Sequence, residues 1–243
     1  MLKSINIDKV KQLDIYHINY FNNKCLYTDG KYIYDIKEKE LDADFKDLLK
    51  EINEKDYSFV VKPVHLITDH GKAKGYSRID MKQKSLLNLV NRPLEQKKKL
   101  LLKTFDLVEE ISNHDMVYSD FQLENVLVDE KNEKLTLCNL DGLRKREDDW
   151  DRKIHFLRGF GLLLSYYYNV DSETARVAVM NGGDIRYDED NIFRECIESV
   201  DNKNLRNKVK KLEKLNDKNY KKYKHDVEEV IQDRIRLGYY KCL

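Results

Sequence analysis

The stretch from Met116 to Gly142, MVYSDFQLENVLVDEKNEKLTLCNLDG, decides how the chain is read. Asp120 and Asn125 form a D-x4-N interval, so common in proteins that its surroundings must carry the signal. Before it runs an amphipathic helical pattern ending near Asn113. After it come Val126-Leu127-Val128, a charged turn from Asp129 to Lys134, and the apolar run Leu135 to Leu140 that leads into Asp141-Gly142. Two short apolar strands around a polar turn predict a β-hairpin. Such a hairpin holds Asn125 at the start of one strand and Asp141 at the end of the other, so that both side chains face one point.

These residue types suit phosphoryl transfer. That reaction asks for an oriented acceptor hydroxyl and for neutralisation of phosphate charge by Mg²⁺. Mg²⁺ takes oxygen ligands, usually one or two from protein and the rest from phosphate and water. Asn125 and Asp141 offer such oxygens, and Asp120 is the carboxylate to accept or orient the proton of the incoming hydroxyl.

On these residues the segment resembles the catalytic loop and metal-binding segment of the protein kinase superfamily, HRDLKPEN followed by DFG. Asp120 matches the catalytic Asp, Asn125 the metal-binding Asn and Asp141 the metal-binding Asp. The departures are Tyr118 for the loop's His, Ser119 for its Arg, Gln122 for the cation two positions after the Asp, and Gly142 directly after Asp141, with no Phe between. Without that Arg, a phosphorylated activation loop has no docking partner. The resemblance implies an α+β, protein kinase-like two-lobed fold, with an antiparallel-sheet small lobe over 1–82 and a mainly helical large lobe over 83–243. It also implies ATP and Mg²⁺ as cofactors and a hydroxyl acceptor, foremost Ser or Thr of a protein. Two alternatives stay open: a pseudokinase that binds without turnover, and a phosphotransferase similar to aminoglycoside or choline kinases, which share the D-x4-N and the second Asp.

The N-terminal part reads as a strand meander: about Asp14 to Phe21, Lys24 to Tyr27 and Lys31 to Lys37, joined at Asn22-Asn23 and at Asp29-Gly30, a strong hairpin turn signal. A GxGxxG loop between the first two strands is missing. On the third strand Lys31, Ile33, Asp35 and Lys37 share a face. Lys37 in YDIK best resembles the family's VAIK lysine, and Glu51, on a helix expected from about Leu41 to Asn53, is its expected partner; a solvated charge run from Lys37 to Glu40 is the competing reading. Phe45, Leu48, Leu49 and Ile52 form a packing face whatever the function. Strands over Ser58 to Ile67 and Lys74 to Lys82 follow. The second resembles the strand entering a kinase hinge, which implies adenine contacts from backbone around Ile79 and Met81.

Beyond this point the chain turns helical. Asn91-Arg92-Pro93 starts a helix, and Leu100, Leu101, Phe105, Val108 and Ile111 give it a core face. Another buried helix is expected through Phe156 to Tyr168. Little room lies between Asp141 and that helix, and no APE-like motif is present. Val209, Leu212 and Leu215, then Val227, Val230, Ile231 and Ile235, predict amphipathic helices near the end, and the lysines around them read as solvated faces.

Composition bounds the partners. Charged residues make up 37% of 243 residues with net charge +1, so no global excess attracts nucleic acid or an anionic membrane. The longest uncharged run, Gly159 to Val170, is much shorter than the roughly 20 residues a membrane span needs, and MLKSINIDKVK lacks a signal-peptide core. Cys25, Cys138, Cys196 and Cys242 form no CxxC pair, which favours reduced thiols over disulfides or zinc. The expectation is a soluble, cytoplasmic protein.

Overall fold

Asp29 shapes the turn that Asp29-Gly30 marks in the sequence: its Oδ1 accepts the backbone N–H groups of Lys31 and Tyr32 at 2.9 and 2.8 Å, and its Oδ2 accepts the Tyr34 hydroxyl at 2.8 Å. The computed structural model describes residues 2–19, 24–169, 201–222, 224, 225 and 229. Within them the chain is mixed α+β and divides into two compact units, Met1–Lys82 and Gln83–Leu243.

The first unit holds β1 (Lys3–Asn6), α1 (Ile7–Val10), β2 (Asp14–Asn19), β3 (Lys24–Thr28), β4 (Tyr32–Ile36), α2 (Ala43–Lys55), β5 (Pro63–Asp69) and β6 (Lys72–Ile79). The strands form one sheet in the order β1-β5-β6-β4-β3-β2, antiparallel except where β1 runs parallel to β5. Both faces of β4 are covered, which explains why Ile33, Tyr34 and Asp35 are all buried. Tyr34 packs with Ile67, Ile7 and Val10. On the opposite face Asp35 lies across from Tyr76, whose ring meets Phe45 of α2 at 5.9 Å.

Several boundaries differ from the sequence reading. Helix α2 begins at Ala43 because Asp42 caps it, accepting the Phe45 N–H at 2.7 Å. Strand β5 begins only at Pro63, so Ser58 to Lys62 lies outside it although Phe59, Val60 and Val61 are buried; an apolar run alone does not separate strand from buried connection. The expected Asn22-Asn23 loop lies outside the described residues.

The second unit contains β7 (Lys84–Ser85), α3 (Leu94–Asn113), β8 (Met116–Tyr118), β9 (Val126–Asp129), β10 (Lys134–Leu137), β11 (Leu143–Lys145), α4 (Asp149–Tyr168) and α5 (Asn202–Leu212). The predicted hairpin is β9 paired with β10, extended by β7, while β8 pairs with β11. Helix α4 starts before the expected Phe156: Asp148 caps it through the Asp151 N–H at 2.8 Å, and Asp149 and Asp151 complement the positive end of its dipole. On α5, Leu205 and Val209 are buried, and Arg206 binds Asp106 and Glu109 of α3 at 2.7 and 3.0 Å. The helix expected around Val227, Val230, Ile231 and Ile235 lies outside the described residues. No described helix is long and apolar enough to cross a membrane.

The packing of α4 on α3 rests on Gly159. A Cβ at this position would come within 2.4 and 2.6 Å of the two Val108 methyl carbons, so any larger residue pushes the helices apart. Lys97, buried in α3, donates from Nζ to the Tyr167 carbonyl at 3.2 Å and so satisfies the C-terminal end of α4. Gly159→Ala is expected to destabilise the chain by about 1–3 kcal/mol through overpacking, despite the roughly 1 kcal/mol by which Ala favours a helix over Gly. Adding Val108→Ala should recover part of the loss in urea unfolding. A Gly159→Ala chain as stable as the original would contradict the close approach.

Candidate active site

The loop after β8 is tied to the segment after β10 from both sides. The Ser119 N–H donates to the Gly142 carbonyl at 2.8 Å, and the Ser119 hydroxyl donates to the same oxygen at 3.2 Å. The Cys138 N–H reaches the Asn125 carbonyl at 2.9 Å. Gly142 accepts this closeness because it has no side chain: a Cβ would sit 2.7 Å from the Asp120 Cβ and 2.8 Å from the Asp120 nitrogen. Asp120, Asn125 and Asp141 are thereby held in one small region. The residue after Asp141 has to be glycine for a local, steric reason.

The Asp120 carboxylate is heavily hydrogen-bonded. Its Oδ2 accepts Asn125 Nδ2 at 2.7 Å and Asn139 Nδ2 at 2.9 Å, and its Oδ1 accepts Gln122 Nε2 at 3.0 Å. Partial burial pushes its pKa up; the three amides oppose that rise, and the nearby negative charge of Asp141 adds to it. Asn125 also donates to the Asp120 carbonyl at 3.0 Å, so both its N–H groups are directed at Asp120, and its side-chain oxygen is an acceptor that these two bonds do not use. Asp141 adds a carboxylate. Two oxygen donors of these types fit Mg²⁺, which fills its other positions with phosphate and water.

Tyr118 is fully buried beneath this loop, and its hydroxyl has no hydrogen-bond partner among the described residues. Burial, followed by the charges of Asp120, Cys138 and Asp141, holds its pKa well above the ordinary phenol value. The position of Tyr118 is set by His155 of α4. The Tyr118 N–H donates to His155 Nδ1 at 3.0 Å, so Nδ1 carries no proton; Nε2–H donates to the Val108 carbonyl at 2.8 Å. Burial lowers the His155 pKa to about 4.

The other expected site residues lie in the first unit. Lys37 follows β4; its ammonium binds Asp35 Oδ2 at 2.8 Å and lies 5.5 Å from the centre of the Tyr76 ring. Glu51 on α2 accepts Lys55 at 2.9 Å and the Tyr57 hydroxyl at 2.7 Å. Ile79 ends β6 opposite Tyr32, and Ile79 and Met81 are each 39% exposed.

Two contributors escaped the sequence reading. Asn139 is a polar residue inside the apolar run LTLCNL, two positions before Asp141, and that interruption was the available signal. His155 carries no such signal, because its partners Tyr118 and Val108 are distant in sequence. No protein-family model matches the chain, and no curated protein matches it.

His155 makes the site sensitive to acid. Its folded pKa of about 4 lies below the usual 6.5, so the unfolded chain takes up a proton first as pH falls. The stabilisation is complete above about pH 6.5 and lost on the way to pH 4, amounting to about 3 kcal/mol at 1.36 kcal/mol per pH unit. Urea midpoints measured across this window should fall, and fall less steeply for His155→Gln; identical pH dependence in the two chains would contradict the neutral, doubly bonded imidazole.

Proposed function

We propose that the chain is an atypical ATP- and Mg²⁺-dependent kinase that transfers the γ-phosphoryl group to a hydroxyl acceptor. The observation that carries this reading is the arrangement around Asp120: Asn125 turns both N–H groups onto Asp120, and the Asp141-Gly142 segment is bonded against the same loop. Supporting it, the first unit has a three-strand meander, a helix and two more strands, which together form the β5-β6-β4-β3-β2 part of a sheet whose sixth strand, β1, adds parallel to β5. In this reading the first unit is the small lobe of a protein kinase-like fold and the second is the large lobe.

Each residue then has a defined part. Asp120 orients the acceptor hydroxyl and takes its proton as the new O–P bond forms; the bond from the γ-phosphorus to the bridging oxygen breaks, and its electron pair leaves with ADP. Asn125 and Asp141 hold Mg²⁺, which neutralises phosphate charge when bound. Lys37 is the cation assigned to the nucleotide phosphates, with Glu51 as its partner on α2. To take that part, Lys37 exchanges its bond to Asp35 for phosphate oxygens. Ile79 and Met81 provide backbone for the adenine ring.

A Ser or Thr side chain of a protein is the acceptor implied by the kinase resemblance. One observation favours a small-molecule hydroxyl instead: α4 begins at Asp149, leaving only the short β11 and its flanking turns after Asp141. A peptide-docking segment has no length there.

Incubation with γ-labelled ATP and Mg²⁺, with generic proteins in one arm and amino sugars, choline and nucleosides in another, tests the reading. Label transfer is expected, and Asp120→Ala should slow it by about 10²–10⁴-fold while leaving nucleotide binding intact. No transfer in any arm, with nucleotide bound equally well without Mg²⁺, would replace the kinase by a binding module.

A further inference from the structure

Asp120 presents two unequal carboxylate oxygens. Each carboxylate oxygen has about two in-plane acceptor sites. On Oδ2 both are filled, by Asn125 at 2.7 Å and by Asn139 at 2.9 Å. On Oδ1 the described partner is Gln122 alone, at 3.0 Å. The Gln122 side chain is long and exposed, so it swings aside at little cost. Neither Asn shares that freedom. Asn125 is anchored by its second bond to the Asp120 carbonyl at 3.0 Å, and Asn139 by accepting the Asp141 N–H on its Oδ1 at 3.2 Å. That last bond also fixes which way the Asn139 amide faces: its oxygen is taken by Asp141, so its nitrogen must point at Asp120.

We propose that Asn139 is a positioning residue that links the Asp120 carboxylate to the Asp141 backbone, closing Oδ2 and reserving Oδ1 for the acceptor hydroxyl. The catalytic part of this inference rests on the phosphoryl-transfer reading; the link itself does not. A single amide sets the spacing between the residue that receives the proton and the segment that holds the cation. The sequence resemblance assigns no role to this position. The substitution that isolates it is Asn139→Asp, which keeps the size of the side chain and replaces the donor by an acceptor facing Oδ2.

Two measurements on the full chain test the proposal. The first is a double-mutant cycle on thermal unfolding with Asp120→Ala, Asn139→Ala and the pair. Non-additive shifts in Tm are expected, and additive shifts would overturn the link whether or not the protein is a kinase. The second compares kcat and KM for ATP in Asn139→Asp with the original chain. A drop in kcat of about 100-fold at unchanged KM is expected from a misplaced carboxylate. Unchanged kcat beside a coupled cycle would overturn the catalytic role and leave a purely structural brace, as would equal losses in binding and turnover. Absence of transfer by the original chain would overturn the phosphoryl-transfer reading, and the cycle alone would then decide the link.

Discussion

A neutral imidazole at the centre of the second unit holds the candidate site in place. His155 receives the Tyr118 N–H on one nitrogen and gives its other N–H to Val108, joining β8 to α3 through a helix that belongs to neither. Both bonds require the same tautomer, and burial keeps the ring in that state. Among the described strands the short β8 pairs with β11 alone, so without this pin its end, and Asp120 just beyond it, would lose a fixed reference to the helices. Gly159 matters for the same reason: by letting α4 approach Val108 it brings His155 within reach of the Val108 carbonyl.

On that frame the chemistry of the site is a balance at one carboxylate. Partial burial and the negative charge of Asp141 make Asp120 more basic, which suits a residue that takes a proton from a hydroxyl. Three amide donors pull the other way, favouring the ionised form, and orient the carboxylate. Neutral donors achieve this without placing a positive charge beside the carboxylate. Gln122 belongs to the same pattern: around the Asp120 carboxylate the described side-chain hydrogen-bond donors are amides.

Much of this was legible in the sequence wherever the signal is local. The apolar stripe of α3 runs to Asn113 as its spacing predicts, and the charged turn from Asp129 to Lys134 joins the two strands of the hairpin. Asp-Gly at residues 29 and 30 turns the chain as such pairs do. Features that depend on distant partners were not legible. Strand β1 has four residues with no buried stripe and exists by pairing with β5, some sixty residues later. The start of α4 lay hidden in a run of charge, although its cap Asp148 and the acids after it were a readable helix start. At the candidate site, residue type and spacing singled out Asp120, Asn125 and Asp141, and the structure brings these three close together. Asn139 and His155 act through geometry that forms only after the hairpin closes on the loop and α4 packs on α3.

In the proposed kinase, Asn125 and Asp141 together hold a cation that carries a nucleotide. Calorimetric titration with a non-hydrolysable ATP analogue, with and without Mg²⁺, in the original chain and in Asn125→Ala and Asp141→Ala, tests it most directly. The account predicts binding that strengthens with Mg²⁺ in the original chain and loses that dependence in both variants. Affinity that ignores Mg²⁺, or a Mg²⁺ effect that survives both substitutions, would contradict it.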